Sequence, residues 1–348
     1  MQNSVGVITN PNSKKNWRFP ERRGAIQRAV GRFGVVKETK SLEELPRAVD
    51  ELLDAGTKYW VCDGGDGTLH WVVNTLKDRL YERAGDDADL PVIVPTNGGT
   101  VDFIARKAGL KGDAVSIVNR LVRELENGRA PETVRVDTCR HRGVGMDEAG
   151  APIEFDRIGM ATALAGVANN FFDRYYSLPK DRGALAIAGV IGAAAGEALV
   201  DTVTSPLRRF LPGQGEKSND FFRPTAAHIE VDGRRLGFTS FMSLQVGSID
   251  INLAGVVRCF RHAHEDGVLH FQAISTSPVG VVFNVPNIVF GTPIRGRNVY
   301  DDRARRISIV AAEGDRINPV IDGEQFYGLD RVDLELGPSL HIATLPAA

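Results

Sequence analysis

Val61-Cys62-Asp63-Gly64-Gly65-Asp66-Gly67-Thr68-Leu69 holds, from Gly64 to Thr68, three glycines, a carboxylate and a hydroxyl between two segments of opposite character. Upstream, Lys58-Tyr59-Trp60-Val61-Cys62 reads as a short buried strand. Downstream, Leu69, Val72, Val73 and Leu76 recur at three- and four-residue steps, the apolar face of a helix that Thr68 or a neighbour would cap. A strand that meets a helix through a glycine turn brings bare backbone N–H groups and a helix N-terminus to one point, where side chains do not obstruct an anion. Phosphate is the natural occupant. Asp66 inside the turn would repel phosphate unless a divalent cation lay between them, so strand, turn and acid together point to a magnesium nucleotide. The glycines taken alone would be better explained by a tight connection needing positive φ.

Outward from this turn, strand and helix patterns alternate: Val5 to Ile8, a helix from Arg22 to Arg32, Val35 to Thr39, a helix from Leu42 to Leu53, the glycine turn with its helix, then a strand from Pro91 to Pro95. This rhythm predicts a doubly wound α/β domain over residues 1–130, with ligands at the carboxyl ends of its strands. Asn10, Thr39, the Gly64 turn and the loop at Gly99 all follow strands and should converge on one edge. From Glu132 the texture changes to short apolar runs broken by Gly, Asp and Asn, and Asp232-Gly233 between two such runs signals a hairpin. The fold class expected is therefore α/β plus β. Residues 131–328 form a mostly β, sandwich-like domain with a helical insertion over Tyr175 to Val200, joined through a linker near Asn127 to Pro131.

Composition is that of an ordinary globular chain, 348 residues long with 43% hydrophobic and 25% charged residues, enough for two cores. A net charge of −2 gives a nucleic-acid partner no support. Cys62, Cys139 and Cys259 stand at unrelated spacings that imply neither a disulfide frame nor a zinc site. The N-terminus lacks the order of a signal peptide, and the longest apolar run, 13 residues from Ala184 to Gly196, falls short of the roughly 20 that a spanning helix needs. A cytoplasmic protein is expected. That run reads as a buried helix, or as a helix beside a lipid-binding groove.

Gly64-Gly65-Asp66-Gly67-Thr68 resembles the GGDGT motif of the diacylglycerol kinase, sphingosine kinase and NAD kinase superfamily. Asn10-Pro11-Asn12-Ser13 is similar to the NPxS element that opens lipid-kinase catalytic domains. Gly98-Gly99-Thr100-Val101-Asp102-Phe103-Ile104-Ala105 resembles the GT-x-N-DFA loop, and Ile321-Asp322-Gly323-Glu324 resembles the IDGE motif. The four elements stand in the order of bacterial-type lipid kinases and nearly span the chain.

The resemblance implies ATP and Mg2+ as cofactors and a lipid acceptor, diacylglycerol or sphingoid-type, met peripherally at the inner face of a membrane. The turn Gly64, Gly65, Asp66, Gly67, Thr68 and Leu69 would supply amides to the phosphates, Asp66 would orient the metal, and Thr100, Thr39 and Asn10 would meet the nucleotide. Thr39 reads equally as a strand-end residue bonding its own turn, and Asn10 before Pro11 as simple turn chemistry. Glu324, in a glycine turn, matches the acid that takes the acceptor's proton, and Asp322, two residues earlier, would lie on the same side if the chain is extended there; taken alone, the segment reads as an Asp-Gly hairpin whose acids face water. Asp266 with the carbonyls of Ala263 and Val268 matches a structural Mg2+ loop, though a plain Asp-Gly turn explains them equally. His262, His264 and His270 read as surface histidines. Residues 329–348 would return to the first domain, and a homodimer is compatible with the pattern.

Several positions depart from the family. Trp71 stands where glutamate is frequent, Phe103 where aspartate is usual, Asp102 where asparagine is usual, and Lys14 where glycine is common. Phe155 to Ala161 lacks the asparagine and aspartate pattern of a diacylglycerol site; Asp156 and Arg157 there would either hold the acceptor or form a hairpin-edge ion pair. Arg208-Arg209, Arg295, Arg297, Arg303, Arg305 and Arg306 form a local basic set that would suit anionic lipid, or simply face water. The alternatives are an NAD kinase-like soluble kinase and a nucleotide-binding regulatory protein without turnover.

Overall fold

The computed structural model describes residues 4–86, 88–99, 102–147, 149–176, 189–190, 192–193, 220–253 and 257–346. Thr100, Arg208, Arg209 and most of the Tyr175 to Val200 stretch, including most of the Ala184 to Gly196 run, lie outside them. The chain divides into two compact units, Met1–Asp137 with Pro338–Ala348, and Thr138–Gly337.

In the first unit, β1 (Val5–Thr9), α1 (Lys14–Arg18), α2 (Arg22–Val30), β2 (Gly34–Glu38), α3 (Leu45–Asp54), β3 (Tyr59–Asp63), α4 (Asp66–Ala84), β4 (Val92–Pro95), α5 (Phe103–Lys107), α6 (Ala114–Glu126) and β5 (Glu132–Val136) follow in order. Every residue of β1 is buried, as a central parallel strand with covered faces requires. α3 buries Leu45, Ala48, Val49 and Leu52, one stripe at helical spacing. α4 buries Leu69, Val72, Val73 and Leu76, each contributing about 1.5–3 kcal/mol. α6 starts where the Asp113 side chain accepts from the Ser116 amide at 2.8 Å, an N-cap.

The second unit comprises β6 (Cys139–Met146), β7 (Pro152–Gly159), β8 (Ala161–Gly166), α7 (Val167–Tyr176), β9 (Thr225–Val231), β10 (Arg234–Arg235), β11 (Ser240–Phe241), β12 (Ser243–Gly247), β13 (Ile251–Leu253), β14 (Val257–Cys259), β15 (Leu269–Ser275), α8 (Pro278–Phe290), β16 (Asn298–Ala304), β17 (Arg306–Ala311), β18 (Val320–Ile321), β19 (Glu324–Gln325) and β20 (Leu329–Leu336). The last strand, β21 (Leu340–Thr344), belongs to the first unit.

Among the described residues the first unit's sheet runs β2-β1-β3-β4-β21-β5. It is parallel from β2 through β21, and β5 joins antiparallel to β21. The tail expected over 329–348 thus divides: β20 pairs with β17 and β6, and only β21 enters the first sheet. The second unit is built on two antiparallel sheets, β10-β9-β17-β20-β6-β7 with β11 on β9, and β16-β15-β12-β8-β18-β19. Ile229, Ile309 and Val332 from one and Leu164, Val246 and Phe271 from the other bury into a single core. Asp232 and Gly233, with φ of 49° and 80°, make the two-residue turn between β9 and β10 that their sequence predicts. No helix among the described residues is long and apolar enough to cross a membrane.

Candidate active site

The carboxyl ends of β1, β2, β3 and β4 lie side by side, so the loops that follow them share one edge of the first sheet. The Asn10 amide donates to the Asp63 carbonyl at 3.1 Å, and the Thr39 amide to the Thr9 carbonyl at 3.0 Å. Asn10 Nδ2 reaches across to Thr68 Oγ1 at 3.0 Å, while its Oδ1 accepts from the Asn12 amide at 2.9 Å. Asn10 therefore closes its own turn and clamps the glycine turn as well. α4 begins at Asp66, with Gly65 as an extended N-cap whose bare Cα leaves the first-turn amides uncovered. Of the caps expected, Thr68 or a neighbour, it is the neighbour Gly65 that takes the position; Thr68 is inside the helix, its hydroxyl engaged by Asn10.

Two glycine loops pack backbone to backbone. The Gly98 amide donates to the Gly64 carbonyl at 2.9 Å. A Cβ on Gly98 would stand 2.5 Å from that carbonyl oxygen, and one on Gly65 would stand 2.8 Å from Gly99 Cα. Only glycine fits this contact, and it leaves a strip of main chain along the sheet edge. Asp66 Oδ1 accepts from the Phe103 amide at 3.1 Å, a contact between turn and second loop that spans 37 residues of sequence. Asp102 adopts a left-handed conformation, φ 50°, and its Oδ1 accepts from the Gly99 amide at 2.8 Å. Burial pushes the Asp102 carboxyl up, opposed by the Gly99 amide and the nearby Lys15 ammonium, 3.9 Å away.

Asp63, at the end of β3, is fully buried. Burial raises its pKa, against the pull of Arg22, whose Nη2 lies 3.8 Å away. Asn16 Nδ2 donates to Asp63 Oδ2 at 2.9 Å and Thr96 Oγ1 to Oδ1 at 3.2 Å. The Arg22 side chain is only 11% exposed, yet its Nε and Nη2 find no hydrogen-bond partner among the described residues. Sequence reasoning missed Arg22, Asn16 and Asp63, because nothing local marks the first residue of α2 as facing the end of β3.

In the second unit, β18 and β19 form a hairpin in which Ile321 opposes Glu324, with Asp322 and Gly323 as its two turn residues at φ 50° and 93°. Of the two readings of this segment the hairpin holds and the extended chain does not, so alternation no longer sets Asp322 and Glu324 on one side. The Asp322 carboxylate is buried, and its Oδ1 accepts from the Met160 and Ala161 amides at 2.9 and 3.0 Å. Glu324 is half-buried on β19. Beside it, a cleft of about 100 Å3 is lined by Asn169, Asn170, Asp173, Asn318, Gln325 and Tyr327. Asn169 is buried, and its Oδ1 has no partner among the described residues. The signal for this cleft, Asn169-Asn170 just after β8, lies outside the Phe155 to Ala161 segment where sequence reasoning looked. There, Asp156 is held across the hairpin by Arg140 Nε at 2.9 Å, so the ion-pair reading describes it.

Asp266 is exposed in a turn with Gly267 at φ 76°, Ala263 is buried, and Val268 is half-buried. Its neighbour Glu265 is gripped by Arg303, with both Nε and Nη2 at 2.6 Å, and that guanidinium holds its carboxyl down at about 2. Among the described residues no three His, Cys, Asp or Glu side chains converge as a metal cluster. His270 is not a surface residue: it is fully buried, with Nε2 2.8 Å from Asp301 Oδ1.

Residues 4–130 match the diacylglycerol kinase catalytic domain. The match covers β1 to β4 and both glycine loops and ends before the second unit. Over the whole length the fold is similar to the crystal structure of a diacylglycerol kinase from Bacillus anthracis str. Sterne, with a TM-score of 0.59 at 12% identity, covering 99% of this chain and 98% of that one. A second structure from the same organism, named provisionally as a diacylglycerol kinase, gives 0.62 at 13% identity with the same coverage. No curated protein matches the chain by sequence.

Against the diacylglycerol kinase pattern, two departures have a physical reading. At Phe103 the backbone amide, which any residue but proline would provide, holds Asp66. At Asp102 the carboxylate ties the second loop by accepting from Gly99. Trp71, half-buried on α4, sets its ring edge-on to His70 at 5.6 Å. Lys14 is exposed at the start of α1, and nothing in the structure explains why it replaces glycine.

Proposed function

We propose that this chain is an ATP-dependent lipid kinase that transfers the γ-phosphate to a hydroxyl of an amphipathic lipid, diacylglycerol or sphingoid-type. The observation that carries this reading is the glycine-to-glycine contact of Gly64-Gly65 with Gly98-Gly99, which leaves main-chain amides open beside a carboxylate at a sheet edge. This donor set suits a nucleoside triphosphate. The amides from Gly65 to Thr68 face the phosphates, whereas the Leu69 amide, expected among them, is spent on the Gly65 carbonyl at 3.0 Å; the orphaned Arg22 donors add positive charge, and Asp66 supplies an oxygen for Mg2+. Bound Mg2+ neutralises phosphate charge. Asn10, Thr39 and Thr100 complete the nucleotide site. The Asp266 turn, with one carboxylate and the carbonyls of Ala263 and Val268, is an oxygen-only set that suits a hydrated structural Mg2+.

In transfer, the acceptor oxygen forms a bond to the γ-phosphorus while the bond from that phosphorus to the bridging oxygen of ADP breaks. The hydroxyl proton passes to the Glu324 carboxylate. Asp322 acts as a positioning residue, fixing the hairpin that carries Glu324. The cleft at Asn169 offers a buried carbonyl oxygen to a polar headgroup. Glu324→Gln tests the reading: kcat should fall by about 10²–10⁴ with ATP affinity unchanged, and unchanged turnover would remove Glu324 from the role of base.

A further inference from the structure

α8 sets aromatic rings in solvent. Its thirteen residues, Pro278–Phe290, include no ionisable side chain. The amide side chains it does carry point into the protein and are consumed there. Asn284 is 6% exposed; its Nδ2 donates to the Gly280 and Arg295 carbonyls at 2.9 Å each. Its Oδ1 accepts from the Arg295 amide at 2.8 Å and from Asn287 Nδ2 at 2.9 Å. Asn287 Oδ1 in turn accepts from Thr292 Oγ1 at 3.0 Å. Val281 and Val282 pack against Phe221, Phe222 and Met242.

An adjoining stripe of the helix carries Phe283, 76% exposed, and Phe290, 72% exposed, with exposed Pro286 between them. Seven residues are two turns, so the two rings share one stripe. Two rings thus stand in solvent on a helix whose amides are engaged by its own protein. Such a face is suited to a non-aqueous neighbour.

Charge identifies the neighbour. The Asn284 clasp fixes the backbone of Arg295 beside the helix, and Arg295 and Arg297 are exposed with no carboxylate pairing among the described residues. Arg303, by contrast, is spent on Glu265. We propose that α8 lies in the surface of an anionic phospholipid bilayer, with Phe283 and Phe290 at the acyl boundary and Arg295 and Arg297 on the headgroup phosphates. This deepens the lipid-kinase reading, on which it rests for its relevance, by naming the element that meets the phase holding the substrate.

The test is co-sedimentation of the full chain with vesicles of phosphatidylglycerol and phosphatidylcholine, against phosphatidylcholine alone, without ATP. Phe283→Gln/Phe290→Gln should weaken partitioning on the order of a hundredfold. Arg295→Gln/Arg297→Gln should weaken it roughly thirtyfold and remove the preference for the anionic vesicles. Thermal unfolding should be unchanged in both, since the altered groups are exposed. Wild-type partitioning by the phenylalanine variant overturns the proposal. So does a wild-type dimer that this variant dissociates in sedimentation velocity while vesicle binding persists, which would give the face to a second copy. Phosphorylation of lipid in detergent micelles separates the two readings. Vesicle binding through these residues without lipid labelling leaves the docking proposal standing and sinks the kinase; lipid labelling with wild-type partitioning by the variant does the opposite.

Discussion

Asp322 is seated on the Met160 amide, 2.9 Å from donor nitrogen to Oδ1, and the same oxygen takes the Ala161 amide at 3.0 Å. The turn between β7 and β8 thus holds the hairpin that presents Glu324. Gly159 makes room for it, since a Cβ there would stand 2.9 Å from Asp322 Oδ2. Conformation and contact agree at this residue, because aspartate tolerates the left-handed φ of 50° better than most side chains.

Asp322→Ala removes an acceptor from two amides and places alanine at positive φ, and should cost about 2–4 kcal/mol. Asp322→Asn keeps a carbonyl oxygen and the conformation, and should cost about 1 kcal/mol. Urea midpoints measure both. Equal losses for the two variants would contradict the part assigned to the two amide bonds.

Gly98→Ala forces a methyl to 2.5 Å from the Gly64 carbonyl oxygen, a backbone atom with no freedom to yield. The two loops should part, with about 1–3 kcal/mol of lost stability and at least roughly a tenfold loss of ATP affinity by calorimetry. Gly24→Ala in α2 is the control: its Cβ would meet nothing nearer than Arg28 at 3.5 Å, and the substitution should stabilise by about 0.5–1 kcal/mol.

How far the sequence could be read depended on the range of the interaction. The Gly64 turn stood out because strand, glycines and helical stripe are contiguous, and the Asp232-Gly233 hairpin because its two residues alone demand positive φ. The same Asp-Gly signal at Asp322-Gly323 leaves a hairpin and an extended chain both open, and the hairpin that forms removes the condition under which Asp322 and Glu324 would share a side. Contacts such as Phe103 to Asp66, Arg22 to Asp63 and Met160 to Asp322 join segments with no shared periodicity, so they leave no local trace. His270 was misread as exposed because a single histidine within an apolar run, Leu269 to Ile274, gives no sign of the carboxylate waiting on the neighbouring strand.

That carboxylate, Asp301, supports an acid-stability prediction. Burial alone would raise its pKa, but bonds from His270, the Ile294 amide, Gln272 and Arg261 outweigh it and hold the group well below the carboxylate range. A depressed acid contributes stability above its unfolded pKa, about 4, and loses it as pH falls further. Burial depresses His270 as well, despite Asp301, and its contribution fades as pH falls below about 6.5. Both act in the same direction, so the urea midpoint should decline from about pH 6.5 and more steeply below about 4. Asp301→Asn should cost about 3–5 kcal/mol near neutrality and flatten the lower limb; a variant with the wild-type acid profile would refute the assignment.

Asp66→Asn retains an oxygen for the Phe103 amide but removes the charge offered to the metal. The Mg2+ concentration for half-maximal turnover should rise by about tenfold or more with folding stability nearly unchanged. Unaltered magnesium dependence would place the metal elsewhere.

The most direct measurement is transfer of radiolabelled γ-phosphate from Mg-ATP to micelle-dispersed diacylglycerol, sphingosine, ceramide and monoacylglycerol, with NAD as a soluble acceptor beside them. A lipid kinase labels one of the lipids with the wild-type chain and none with Glu324→Gln. Labelling of NAD alone, or ATP binding with no labelled acceptor, would contradict it.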